Sequence, residues 1–83
     1  MAITGWVLVQ TEVGHARSVC DAIAAISIPG IKVLAADTVT GQYDVIARVE
    51  GEDTDSLLSV VEGAIANEGG VDHLVTCLAV HLG

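Results

Sequence analysis

The chain of 83 residues is long enough for one domain, but its hydrophobic core can only be small. Three basic and 11 acidic residues give a formal net charge of −8, and no cluster of Lys or Arg is available to bind nucleic acid, so direct DNA or RNA binding is not expected. The first residues carry no basic segment typical of a secretory signal, and no apolar stretch is long enough to cross a membrane. We therefore expect a cytoplasmic protein without membrane contact.

The apolar residues are almost entirely aliphatic. Hydrophobic residues make up 52% of the chain, whereas aromatic residues make up 2% and phenylalanine is absent. A chain of this length cannot bury so much aliphatic surface in its own core. We therefore expect a homo-oligomer, in which a second face of the fold is buried against another copy.

The first third of the chain predicts a strand followed by a helix. Residues 6–11 (WVLVQT) are strand-forming types. Residues 13–27 place apolar side chains three, four and seven positions apart, which is typical of an amphipathic helix. The helix is expected to end before Pro29 and Gly30, because proline cannot continue the hydrogen-bond ladder and glycine turns freely.

A hairpin is predicted in the middle of the chain. Residues 31–40 and 43–50 both have the composition of strands. Only Gly41 and Gln42 separate them, so the two strands are expected to pair through a two-residue turn. Glycine as the first central residue indicates a type II′ turn.

The remaining residues predict a second helix and a last strand. Asp53 or Thr54 is placed to cap the helix, and the apolar residues at positions 57, 58, 61, 64 and 65 form one face of it. The last strand is expected over residues 71–82. The order βαββαβ, without a linker, predicts a single α+β domain over residues 1–83. Its expected fold is ferredoxin-like, with both helices on one face of a four-stranded antiparallel sheet.

Both faces of the predicted sheet are poor in solvated side chains. The even positions of the last strand suit packing under the helices: Leu74, Thr76, Leu78, Val80 and Leu82. The odd positions are not a typical solvated face either: His73, Val75, Cys77, Ala79 and His81. Since the helices cover only one side, we expect the other side to pack against the sheet of a second copy.

Histidine, cysteine and serine residues do not combine into a metal or catalytic site. His73, Cys77 and His81 share one strand face, but residues four apart in a strand are separated by roughly 13 Å, too far to share an ion. Cys20 and Cys77 lack CxxC spacing and are expected to be free thiols. No histidine is placed to activate a serine, and no glycine-rich nucleotide motif is present. We therefore predict a non-enzymatic protein without catalytic residues, metal or cofactor.

The segment GQYD at residues 41–44 is the one concentration of unexplained chemistry. A turn needs Gly41, but it does not need Tyr43 followed by Asp44. In a structural interpretation, Tyr43 covers a sheet edge and Asp44 binds nearby backbone amides. In a functional interpretation, Asp44 binds a cationic group and backbone N–H groups at Gly41 bind an anionic one, which suits the two ends of an α-amino acid. The residues alone leave both interpretations open.

The whole pattern resembles a known family. The segment VTGQYDVIARVE is preceded by IPGIKVLAAD and followed by a capped helix and GVDHLVTCLAVHL. Together these segments are similar to the effector-binding domain of the leucine-responsive/asparagine regulator (Lrp/AsnC) family, over residues 6–82. The resemblance implies a domain of the dimeric α+β barrel type that forms sheet-to-sheet dimers and often octameric or decameric rings. It also implies that amino acids or related effectors bind between dimers, beside the loop that matches residues 40–44.

The resemblance implies a site formed by this loop and the last strand: Thr40, Gly41, Gln42, Tyr43, Asp44 and Thr76. Backbone groups of Gly41 and Gln42 would bind the ligand carboxylate, and Asp44 would bind its ammonium group. Tyr43 would line the pocket together with the threonine of the last strand. The family often has a second threonine where this chain has Leu74, a departure that favours a more apolar ligand side chain.

A second departure concerns DNA binding. Full-length regulators of the family carry an N-terminal helix-turn-helix, for which this sequence leaves no room before its first strand. We therefore expect the stand-alone form of the module. Such a protein could act in transcriptional regulation by co-assembling with a full-length Lrp/AsnC regulator.

Two alternatives belong to other functional classes. Small dimeric α+β barrel enzymes, monooxygenase- or isomerase-like, share the same fold and dimer type. Such an enzyme would have to use polar residues inside the sheet-facing cavity, and the candidates are Trp6, Gln10, Arg48, His73 and His81. The other alternative is a purely structural assembly module, whose GQYD loop only seals contacts between dimers.

Overall fold

The computed structural model describes residues 2–80. The elements follow the order β1 (Ile3–Thr11), α1 (Ala16–Ala24), β2 (Ile31–Thr38), β3 (Val45–Gly51), α2 (Thr54–Val60) and β4 (Val71–Leu78). A π-helical turn, Val61–Ile65, extends α2. The predicted βαββαβ order is confirmed.

All four strands form one antiparallel sheet in the order β2-β3-β1-β4. The two central strands, β1 and β3, pair from Ile3 opposite Gly51 to Val9 opposite Val45. The two edge strands come from the middle and the end of the chain, so each βαβ half contributes one central and one edge strand. This arrangement is the ferredoxin-like α+β fold that the sequence predicts.

The core lies between the two helices and one face of the sheet. Side chains of both helices and of the two central strands belong to one buried cluster: Val19, Ile23, Leu57, Val60, Val61, Ile65, Val7, Val9, Val45, Ala47 and Val49. Most are β-branched, as expected for a half-buried pleated surface, and none of the buried residues within 2–80 is polar or charged. The helices therefore share one face of the sheet, as predicted.

The register separates the two faces of β4. Leu74, Thr76 and Leu78 lie opposite Val9, Val7 and Gly5, so they share the helix-covered face, as predicted. His73, Val75 and Cys77 lie on the other face. That face, called the open face from here on, also carries the even-numbered residues of β1 and their neighbours on β3: Thr4, Trp6, Leu8, Gln10, Ile46, Arg48 and Glu50.

The predicted element boundaries need correction. β1 begins three residues before the predicted strand, and α1 is shorter than the predicted helix at both ends. β4 ends at Leu78, four residues before the predicted limit; His81 and Leu82 lie outside the described residues. Apolar alternation continues past the end of β4, and the Ala79 N–H still donates to the Thr4 carbonyl at 2.8 Å. Val80, however, is 77% exposed and does not pack under the helices as predicted.

The predicted cap of the second helix is present. The Asp53 carboxylate accepts a hydrogen bond from the Ser56 backbone N–H at 2.7 Å. This bond satisfies one of the N–H groups that a helix leaves without a partner in its first turn. At the other end of the π-helical turn, the Asn67 side chain donates to the carbonyls of Glu62 and Gly63 at 3.2 and 3.1 Å. Within residues 2–80, no helix is long and apolar enough to span a membrane.

Candidate functional site

The connection between β2 and β3 is a six-residue loop, called the 39–44 loop here. The Val39 N–H donates to the Asp44 carbonyl at 2.8 Å, which leaves four residues, 40–43, at the tip. The predicted two-residue type II′ turn is therefore wrong. The physical reason is that the Asp44 N–H donates to β1 rather than to β2, so the hairpin ladder opens before the glycine is reached.

Three consecutive residues of β1 hold the 39–44 loop. The Val9 carbonyl accepts from the Asp44 N–H at 2.9 Å, and the Gln10 side-chain amide donates to the Gln42 carbonyl at 3.0 Å. The Thr11 N–H donates to the Asp44 carboxylate at 2.9 Å. The other four side-chain hydrogen bonds in the described residues join positions at most five apart. Long-range polar contacts of side chains are thus concentrated at this loop.

The Asp44 carboxylate takes the place of a strand residue. Backbone groups of successive β1 residues point alternately to β4 and to β3. The Thr4 carbonyl accepts from the Ala79 N–H on the side of β4, and the Val9 carbonyl accepts from the Asp44 N–H on the side of β3. The Thr11 N–H, two residues after Val9, therefore points to the side of β3, where the pairing of β1 with β3 has already ended. One carboxylate oxygen, Oδ2, supplies the missing acceptor. The other oxygen, Oδ1, makes no hydrogen bond to any described residue and can accept one from a ligand.

The tip of the loop presents free backbone donors. Within residues 2–80, no hydrogen bond is made by the N–H groups of residues 40–43. Thr40, Gly41 and Gln42 are exposed, and Tyr43 is half-buried. Gly41 has φ of +135°, a conformation that side-chain-bearing residues avoid, and its missing side chain leaves the backbone open to close approach.

The loop and its support contain no basic side chain. Residues 39–44 and the β1 residues that hold them lack Lys and Arg altogether. Lys32 lies on the edge strand β2, and the Arg48 guanidinium lies over the Trp6 ring, 5.6 Å from its centre, on the open face. An anionic group at the loop tip of one chain would therefore be bound by uncharged donors, which are the backbone N–H groups and the side chains of Thr40, Gln42 and Tyr43.

Thr76 does not join the loop within one chain. It lies on β4 opposite Val7, on the helix-covered face, and is half-buried. β1 separates it from the loop. Thr76 is displaced from Asp44 by three residues along the strands and by two strand spacings across the sheet, which together give a distance of roughly 14 Å. Leu74 lies on the same face and packs against the core. The five loop residues are thus adjacent, while the threonine is apart.

Four of the candidate catalytic residues of the alternative enzyme function form two separate pairs. Trp6 is beside Arg48, and Gln10 is beside His73, four residues further along β1. Four residues of a strand span roughly 13 Å, so the two pairs do not converge on one substrate atom. The fifth candidate, His81, lies outside the described residues.

The thiols and acidic groups within residues 2–80 form no metal site. Both cysteines are free, as predicted. Burial raises the pKa of the Cys20 thiol, and the negative charges of Asp21 and Asp37 raise it further.

Two surface clefts lie away from the loop. The larger, about 780 Å³, is where β3 ends and α2 begins, and it is lined by Ala2, Gly30, Ile31, Lys32, Glu50, Gly51, Glu52 and Asp53. The smaller, about 550 Å³, follows the start of β2 over residues 26–29 and 31–34. Neither includes a residue of the 39–44 loop. Within one chain, residues 40–42 at the tip of the loop are exposed to solvent.

Gln10 and Thr11 hold the loop, but the sequence alone gives no reason to place them beside it. Their partners are 32 and 33 positions away, and no local pattern relates them. The only available signal is that Gln10 is polar in a strand that is otherwise apolar over residues 6–9.

The sequence of residues 4–81 matches the family model of the Lrp/AsnC ligand binding domain. The chain belongs to this family. An Lrp/AsnC domain of this kind has a regulatory, ligand-binding role, so membership supports an effector-binding rather than an enzymatic role. No curated protein sequence is significantly similar to the chain.

Three crystal structures have the same fold. TTHA0845 from Thermus thermophilus is 32% identical, with a TM-score of 0.85 and coverage of 98% of this chain and 96% of that chain. PHS023 from Pyrococcus horikoshii is 27% identical, with a TM-score of 0.80 and coverage of 99% and 93%. The transcriptional regulator NMB0573 from Neisseria meningitidis, solved as a complex with L-Met, is 18% identical with a TM-score of 0.76, and the match covers 95% of this chain and 50% of the regulator.

Proposed function

We propose that this Lrp/AsnC domain is a non-enzymatic sensor of an amino acid or a related metabolite, acting in the cytoplasm in transcriptional regulation. The observation that carries the proposal is the 39–44 loop. It presents backbone N–H groups without a hydrogen-bond partner in residues 2–80, beside a carboxylate with one oxygen that no described residue engages. The net charge of −8 supports a module that does not itself contact DNA. It would then act through a full-length Lrp/AsnC regulator with which it co-assembles.

The two ends of an α-amino acid match the two kinds of group at the loop. The ligand carboxylate accepts from the N–H groups of residues 40–43, and its ammonium group donates to the Asp44 Oδ1 atom. Each charge-assisted hydrogen bond of this type is worth about 1.5–3 kcal/mol. Tyr43 supplies a flat apolar wall for the ligand side chain. The L-Met complex of NMB0573 supports the amino-acid class.

A second copy is proposed to cover the open face. Its centre is apolar, with Trp6 37% exposed, beside Leu8, Ile46 and Val75. Helices already cover the opposite face, so pairing of two open faces buries this surface in a sheet-to-sheet dimer. In an octameric or decameric ring of such dimers, the exposed loop becomes enclosed between dimers. Thr76 would then reach the ligand from a neighbouring chain.

Calorimetric titration with the common amino acids tests the sensor function, using wild type, Asp44→Asn and Asp44→Ala. Asparagine keeps an oxygen acceptor for the Thr11 N–H but removes the charge. We expect millimolar or tighter binding of at least one amino acid to wild type, and about tenfold weaker binding to Asp44→Asn without a loss of stability. Asp44→Ala should also lose about 1–3 kcal/mol of unfolding free energy, because the Thr11 N–H loses its acceptor.

Two outcomes would contradict the proposal at different points. If no common amino acid binds wild type at millimolar concentration, the sensor function fails in this form. If an amino acid binds wild type and Asp44→Asn equally well, the carboxylate does not bind the ammonium group.

A purely structural assembly module is the second candidate function, and one specific contact favours it. Asp44 accepts a hydrogen bond from the Thr11 N–H and thereby stabilises the loop without any ligand. In that case Asp44→Ala would break the oligomer, and no amino acid would change its mass. Size-exclusion chromatography with light scattering, with and without amino acids, distinguishes this candidate from the sensor.

A further inference from the structure

Gln10 stands out among the residues around the loop, because its side chain bridges two distant parts of the chain. It lies near the end of β1 with its side chain on the open face, opposite His73, and it is half-buried. Its Nε2 atom donates to the Gln42 carbonyl at 3.0 Å. A carbonyl oxygen can only accept, so the nitrogen of the side-chain amide must face the loop. This bond is the only one made by the Gln42 carbonyl within residues 2–80.

We infer that Gln10 is a positioning residue, which orients the peptide between Gln42 and Tyr43 so that the Tyr43 N–H binds the carboxylate of the ligand. The inference rests on the proposed function and adds to it a residue outside the loop. Residues 2–80 contain no cis peptide bond, so the carbonyl of Gln42 and the N–H of Tyr43 point in opposite directions. Because Gln10 draws the carbonyl toward the sheet, the N–H is directed away from the sheet.

The direction of this peptide decides the sign of its interaction with an anion. With the bond in place, the trans peptide directs the Tyr43 N–H outward, and this N–H makes no hydrogen bond to any residue within 2–80. If the peptide turned over, the Gln42 carbonyl would face outward instead and would repel a carboxylate. Within the described residues, no other hydrogen bond to this carbonyl opposes that rotation, and the tip of the loop is exposed. The Gln10 side chain therefore preorganises the donor before the ligand arrives, which lowers the cost of ordering on binding.

The orientation can be tested on the protein without ligand. Gln10→Leu removes the donor at similar length, whereas Gln10→Lys keeps a donor on a flexible stem. Thr4→Leu is the matched control, since it replaces a polar residue on the same face of the same strand at its other end. We expect the Tyr43 amide resonance in the two-dimensional NMR spectrum to move in Gln10→Leu and to return toward the wild-type position in Gln10→Lys. Thr4→Leu should leave the resonance in place.

This first measurement can overturn the inference by itself. If the Tyr43 resonance of Gln10→Leu coincides with that of wild type, the side chain does not orient the peptide. If the Tyr43 resonance moves as far in Gln10→Lys as in Gln10→Leu, a hydrogen-bond donor at position 10 does not orient the peptide. Both results are independent of whether any amino acid binds.

Ligand binding gives the second test, with L-methionine and 3-(methylthio)propylamine as probes. The amine keeps the ammonium group and the side chain of methionine but has no carboxyl oxygen to accept a hydrogen bond from the Tyr43 N–H. We expect Gln10→Leu to bind L-methionine about tenfold more weakly than wild type does, and the amine equally well, since only the carboxylate uses the Tyr43 N–H. Equal losses for both probes, or no loss for L-methionine, would overturn the inference. Failure of L-methionine to bind wild type would count against the proposed function, and the NMR comparison would still decide the role of Gln10.

Discussion

The two faces of the sheet are formed by alternate residues of the same strands, yet they carry different kinds of side chain. On the helix-covered face, Val7 and Val9 of β1 are completely buried. On the open face, the residue between Gly5 and Val7 is Trp6, which remains 37% exposed and lies beneath the Arg48 guanidinium. The covered face consists of compact β-branched residues that fill a core, whereas the open face combines an apolar centre with long polar side chains.

This difference separates folding from association. The covered face has its partners within the chain, so changes to it act on the free energy of unfolding. The open face is not covered by any helix or strand within residues 2–80, and an apolar centre with a polar rim is typical of a protein–protein interface. Gln10 approaches the 39–44 loop from the open face, while Thr11 binds it through the backbone. A ligand at the proposed site would therefore be expected to affect association more than folding.

The largest effect is expected from breaking the covered face. Val7→Asp places an unpaired carboxylate in a fully buried position, at a cost of at least about 5 kcal/mol in unfolding free energy, which is comparable to the whole stability of a small domain. Circular dichroism during urea denaturation should show an unfolded chain already without urea. A folded Val7→Asp variant would show that this face is not the core.

The next largest effect is expected from the neighbouring residue on the open face. Leu8→Asp should leave the circular dichroism spectrum unchanged but raise the dissociation constant of the proposed sheet-to-sheet dimer at least about a hundredfold, because unpaired charges would be buried at its interface. Analytical ultracentrifugation measures this change. Ser59→Asp, on the exposed side of α2, adds the same charge and should leave the dimer intact. A Leu8→Asp variant that remains as dimeric as wild type would exclude the open face as the interface.

A smaller effect, on thiol reactivity, sharpens the same comparison. Cys77 lies on the open face opposite Trp6, and Cys20 lies on α1 with a pKa raised chiefly by burial. In the dimer the partner sheet should shield Cys77 from iodoacetamide, and Leu8→Asp should increase its labelling rate severalfold. Cys20 serves as the internal control, because its low thiolate fraction should keep it slow in both proteins. Mass spectrometry of labelled peptides gives both rates, and equal labelling of Cys77 in the two proteins would contradict the shielding.

The smallest effect concerns the start of a helix that covers the core. Hydrogen bonds from the Ser56 backbone N–H, and to a lesser extent from its hydroxyl, hold the pKa of the Asp53 carboxyl below its usual range. A depressed pKa means that the stabilisation is present above the unfolded-state pKa of about 3.9 and is lost as pH falls through the folded-state value. Asp53→Ala should therefore have a lower melting temperature than wild type at pH 7, and the difference between the two melting temperatures should narrow below about pH 4. Asp55→Ala is the control. A difference in melting temperature that does not change with pH would contradict the role of the Asp53 carboxylate as the helix cap.

The parts of the fold that depend on local signals could be predicted from the sequence. The Asp53 cap involves residues three apart, and the faces of β4 follow from strict alternation, so both are readable without the tertiary structure. The site was predictable only in part. Glycine, tyrosine and aspartate at 41, 43 and 44 indicate an unusual loop, but the type II′ turn predicted there is wrong, because β1 draws Asp44 away from the hairpin.

The sequence by itself determined the order of the elements, the α+β fold class and the excess of aliphatic surface, since these depend on periodicity and composition. Only the tertiary structure decided which oxygen of Asp44 is engaged, that Gln10 faces the Gln42 carbonyl, and that Thr76 lies apart from the loop within one chain. Hydrogen bonds between residues 32 and 33 positions apart leave no trace in a local pattern. They exist because the sheet places the end of β1, an early strand, beside the hairpin that follows it.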